Sequence, residues 1–245
     1  MSSIQDDLTI LKKFNFEVGP VAVSFLIKQP AGMDRLKEKI TFCQMIKRSH
    51  EGEPFYADFE NHECPVGPYI LGGPEVPQPF LSGEYGAGHK HYREPRAVRK
   101  MYRSIPKIEK NIVKYVAFST LDKLSFEPDV LILATDVEQA GILLRAMSYT
   151  TGKVYSSKFT PVMGCAWIFI YPYLTGELNY VPTGISVGMK WLNVFRDGLI
   201  LMSIPYELLP TILNNLQDMP WVLPMLQADG EEFRNKLRRD LGIDK

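Results

Sequence analysis

The chain has 245 residues, with 28 basic and 28 acidic side chains and 45% hydrophobic content. Balanced charge gives no bulk attraction to nucleic acid or to a membrane surface, so neither is expected as a partner. Three cysteines do not make a secreted disulfide framework; they read as free thiols or metal ligands in a cytoplasmic protein.

The opening stretch MSSIQDDLTILKKF carries acids where a secretory signal places bases. The longest apolar run, VMGCAWIFIYPYL from Val162 to Leu174, is shorter than the roughly 20 residues of a membrane helix and contains Pro172. Pro20 to Leu26 is a short β-branched run and predicts a buried strand. After PAGMD, the spacing of Leu36, Ile40 and Cys43 at i, i+4 and i+7 predicts a helix with Cys43 on its apolar face. Residues 51–91 are dense in Gly, Pro and aromatics and predict a long loop, a length expected only where function or a ligand orders the segment. A basic helix follows from Glu94-Pro95 to Arg103, then a strand from Lys114 to Ser119.

Phe126–Met147 and Phe195–Leu216 align without gaps at an offset of 69 residues. Each opens on Phe, continues as an apolar strand (Val130 to Ala134, Leu199 to Ser203) and enters a helix with a first-turn acid, Glu138 or Glu207. The pattern predicts a single α/β domain over residues 1–245, with a mostly buried mixed sheet covered by helices and the two strand-turn-helix units as a candidate internal repeat.

Phosphate-loop, HExxH, GxSxG and CxxC signatures are absent, and GEYGAGHKH lacks the GxGxxG spacing. Chemistry then rests on Cys43, Cys64, Cys165 and the histidines. His62 and Cys64 stand at i, i+2 in NHECPVG, as do His89 and His91 in GHKH, so in extended chain each pair projects to one face. Three thiolates suffice for a [4Fe–4S] iron–sulfur cluster with one iron open to another ligand, and His62 is a reserve metal ligand. Zinc held by sulfur and nitrogen is the alternative metal. If Ala166 to Tyr171 begins a helix, amides at its start favour a Cys165 thiolate. The ordinary readings stand beside these: a buried core thiol at Cys43 and solvent-facing imidazoles at His89 and His91.

Arg93, Arg96, Arg99, Lys100 and Arg103 recur at three- and four-residue steps. They form either a solvated face or an anion grip. With Phe55, Tyr56, Phe59, Tyr69 and Tyr85 as an apolar wall, that grip suits an acidic small molecule or a tetrapyrrole-like cofactor.

The motifs GPVAVSFL, ITFCQMIKRSHEGEPFYADFENHECPVGPYILG, FLSGEY, FEPDVLILATDVEQAGILLRAM, GCAWIFIYPYLTGELN and IPYELLPTILNNL, in this order, resemble the DUF169 family of archaeal and bacterial proteins. The resemblance spans about Gly19 to Leu216. It implies one α/β domain in which Cys43, Cys64 and Cys165 form a joint site, with the SGEY step at Ser82 to Tyr85 as a further shared feature. It implies no activity. The expectation is a metallocofactor-binding protein with a small-molecule or cofactor ligand. The alternatives are a metal-free binding module or enzyme, and a docking subunit of a larger complex or homo-oligomer.

Overall fold

The apolar runs pair into one seven-stranded sheet in a computed structural model that describes residues 8–227 and 229–243. Residues 1–7, part of the stretch read as lacking a secretory signal, lie outside the described residues. The strands are β1 (Val18–Leu26), β2 (Asp34–Arg35), β3 (Phe55–Asp58), β4 (Tyr115–Thr120), β5 (Val130–Thr135), β6 (Asn179–Pro182) and β7 (Ile200–Pro205). Their order is β2-β3-β4-β1-β5-β7-β6. The β2–β3 pair is parallel and the others antiparallel, so the sheet is mixed, as expected. Among the described residues no helix is long and apolar enough to cross a membrane.

Alternation along the strands divides the core between the two faces. On β5, Val130, Ile132 and Ala134 face one side while Leu131 and Leu133 face the other, and all five are buried. The second face is covered by a turn at Leu8–Phe14, by α6 (Val137–Ser148) and by α9 (Leu209–Asp218). The two units aligned in the sequence are neighbours here. β5 and β7 pair antiparallel from Val130↔Pro205 to Thr135↔Ile200, and buried Asn215 on α9 donates to the Ala146 carbonyl of α6 at 2.7 Å. Glu138 lies in the first turn of α6, and Glu207 in a 3-10 turn, Tyr206–Leu208, that leads into α9.

The first face carries α1 (Phe42–Arg48), α2 (Val66–Ile70), α3 (Gln78–Ser82), α4 (Glu84–Gly88) and α5 (Pro95–Tyr102). It also carries a π-helical turn at Ala166–Ile170 that continues into α7 (Tyr171–Thr175), and α8 (Val187–Trp191). Two expectations change. The helix does not reach back to Leu36 and Ile40: Leu36 donates to the Tyr56 carbonyl, and Ile40 bridges to His62 in extended conformation. Thr41 starts α1 instead, through a capping box with Gln44, so TFCQ was the signal that decided the boundary. Residues 51–91 are not a structureless loop, for they hold β3, a 3-10 turn at Phe59–Asn61 and three one-turn helices.

An aromatic cluster pins these pieces to the sheet. The Phe42 ring stacks on Phe169 of the π turn at 4.0 Å, meets Phe118 of β4 edge-on at 6.0 Å, and meets His62 at 5.3 Å. Truncating Phe42→Ala removes contacts to three segments at once and should cost about 3–5 kcal/mol of stability. Chemical denaturation measures it, and a loss no larger than that of an exposed-site alanine would contradict the hub.

Candidate functional site

Between the first-face helices lies a cavity of about 680 Å³, within the usual size range of small-molecule and cofactor sites. Cys43, Cys64 and Cys165 all line it. Each comes from a different segment, and the cluster under Phe42 explains their meeting. Cys43 follows Phe42 in α1, Cys64 is two residues from His62, and Cys165 precedes the π turn that supplies Phe169. The π turn inserts an extra residue per turn, a distortion often found at functional sites. Its Trp167 carbonyl accepts from buried Asn179 of β6 at 2.9 Å. Just ahead of Cys165, Met163 sits at φ 60°, a conformation that costs a side-chain-bearing residue energy and gathers at working sites. A side chain at Gly164 would stand 2.5 Å from the Ser186 hydroxyl, so glycine lets the 186–192 segment close over the thiols.

The electrostatics of the three sulfurs are alike. Backbone N–H groups near each sulfur favour its thiolate: Cys43 and Gln44 for Cys43, Val66 and Gly67 for Cys64, Cys165 and Ala166 for Cys165. Thr41 Oγ1 lies 3.2 Å from the Cys43 sulfur. Burial nevertheless dominates and raises all three thiol pKa values, Cys165 the furthest. The expected depression of Cys165 by its helix start is therefore present as a contribution and outweighed by desolvation. Charge on Cys43 or Cys64 raises Cys165 further, which marks the three as electrostatic neighbours. Among the described residues no three His, Cys, Asp or Glu side chains are grouped so as to hold a single metal ion.

The DUF169 family profile, described as "Uncharacterised ArCR", matches residues 9–215. The chain belongs to the DUF169 family. It is similar to the uncharacterized protein MJ0308 of Methanocaldococcus jannaschii, 23% identical over 190 residues that cover 77% of this chain and 81% of that one. No solved structure gives a significant match.

In this DUF169 chain the remaining candidates separate. Tyr85, of the SGEY step, lines the cavity and stacks on Phe80 at 4.2 Å. Arg93, Arg96 and Arg99 are exposed and do not line it. The reason is the phase of α5: Val98, Met101 and Tyr102 turn into the cavity, so the arginines turn out, and Arg99 donates to the Ser82 carbonyl at 2.8 Å. Of the aromatics expected as a wall, Phe55, Tyr56, Phe59 and Tyr69 lie elsewhere; Phe55, for example, stacks on Phe118 at 5.2 Å in the core. His89 and His91 do line the cavity. The wall contributed by Ser186 to Leu192 carries no signature that sequence reasoning could have used.

His62 does not line the cavity. It is 5% exposed, beneath α2, with neither ring nitrogen hydrogen-bonded, and a side chain at Gly67 would collide with its ring. Burial lowers its pKa from 6.5 to about 4, so the folded protein holds it neutral. The unfolded chain binds the extra proton first. Stability contributed by neutral His62 is thus whole above pH 6.5 and is lost as pH falls toward about 4, on the order of 3 kcal/mol. His62→Leu should flatten denaturation midpoints across that window, and an unchanged pH slope would count against a neutral buried imidazole.

Proposed function

We propose that the chain is a metallocofactor-binding protein that holds an iron–sulfur cluster through Cys43, Cys64 and Cys165. The observation that carries the reading is the gathering of all three cysteines, from three separate segments, on one cavity. One further feature supports it. Backbone N–H groups lie near each sulfur, and such donors stabilise a thiolate better than a neutral thiol, a weak acceptor.

Three thiolates on a [4Fe–4S] cluster leave one iron to a ligand from outside the protein. Bound there, a cluster supplies electron transfer or a Lewis-acidic iron. The chain's own part is to exclude water through Val162, Met163 and Met189, to hold amides near the sulfurs, and to release thiol protons on loading.

Protein purified without oxygen should be brown, with iron and acid-labile sulfide in stoichiometric amounts. Single Cys43→Ser, Cys64→Ser and Cys165→Ser substitutions should each abolish retention, while His62→Gln, away from the cavity, should keep it. Iron-free, colourless protein from an anaerobic preparation would sink the reading, as would full iron retention in the three serine variants.

A further inference from the structure

The thiols occupy one part of the cavity, and the chemistry of the remaining wall limits what can share it. No Lys or Arg among the described residues lines it, and its acidic lining residue is the exposed Glu63. The wall is otherwise apolar or aromatic, with Phe80, Tyr85, Val98, Met101, Trp191 and Leu192 as its broadest surfaces. Trp191 is 84% exposed although it stands on the cavity wall, and Tyr85 is 40% exposed. Large aromatic side chains left open beside a cavity are the usual mark of a ligand surface. The polar exceptions are few: beside Thr41 and Ser186, the side chains of Tyr92, Tyr102, His89 and His91 line the cavity, and these four make no side-chain hydrogen bond within the described protein. A few polar groups in an otherwise apolar cavity are what orient a bound molecule.

In the protein without a cluster, an anion entering this space would leave water with no lysine or arginine to receive it, close to Glu63. Desolvation without compensation is costly. The basic face of α5 cannot help, because it points away from the cavity.

We infer that the cavity binds an uncharged, ring-containing small molecule, its apolar body against Phe80, Tyr85 and Trp191 and a hydroxyl or carbonyl toward the phenols and imidazoles. The inference deepens the proposed function by naming what shares the cavity with the cluster, but it stands on the wall residues and not on the iron.

The test is calorimetric titration with 2-naphthol and 2-naphthoate, on iron-loaded protein and on protein stripped by chelation. The neutral probe should bind the stripped protein at least about tenfold more tightly than the carboxylate does. Trp191→Ala should weaken 2-naphthol by about tenfold. Val187→Lys adds a cation at an exposed lining position and should narrow or reverse the preference. Arg96→Ala with Arg99→Ala should change neither affinity. Naphthoate binding as tightly as naphthol to the stripped, unsubstituted chain, or neither probe binding to either form, would overturn the inference. Iron content is assayed separately, so preference for naphthol in protein that never holds iron would retain this inference and discard the cluster.

Discussion

The Phe42 side chain touches every segment that carries a cysteine. Its stack on Phe169 fixes the π turn that follows Cys165, its edge contact with His62 fixes the bridged residue two positions before Cys64, and its own backbone neighbour is Cys43. Phe118 beneath anchors the group to β4. Core aromatics contribute large buried area with defined geometry, so a packing requirement of the core also sets the relative placement of three thiols. The site is an outgrowth of the core and not an addition to the surface.

Above that cluster two electrostatic effects oppose each other. Burial favours neutral thiols, while backbone amides near each sulfur favour thiolates, and in the metal-free protein burial prevails. A bound cation would reverse the balance, since metal ligation deprotonates a thiol outright. The same apolar surroundings that raise the thiol pKa values also make the rest of the cavity inhospitable to anions, so one property of the wall bears on both the cofactor and its companion.

Much of the fold was readable because strands bury continuous apolar runs: β1, β4, β5 and β7 lie within a residue or two of their expected positions. The α1 boundary was misread because Leu36, Ile40 and Cys43 satisfy a helical period by coincidence, while the local rule, Thr41 capping Gln44, was the stronger constraint. At the site, Cys64 and Tyr85 were legible as residue types in an unusual segment, Cys43 on an expected helix face and Cys165 in the apolar run after Gly164, and the family resemblance grouped the three thiols. The arginines were misplaced for a reason the sequence already contained: residues 98 and 102 share one helical face, and 96 and 99 turn away from it. His62 passed for a reserve ligand because an i, i+2 pair shares a face only while the chain stays extended, and the 3-10 turn and α2 end that extension. The wall from Ser186 to Leu192 was invisible, because it joins the cavity through a tertiary contact at Gly164 that no local pattern announces.

The central claim is that three sulfurs hold one cofactor. It is tested most directly by an anomalous difference map at the iron absorption edge from crystals grown without oxygen. The account predicts iron density within bonding distance of the sulfurs of Cys43, Cys64 and Cys165 and no protein thiolate on one of the irons. A map with no iron at these three sulfurs, from protein shown to be folded, would contradict it.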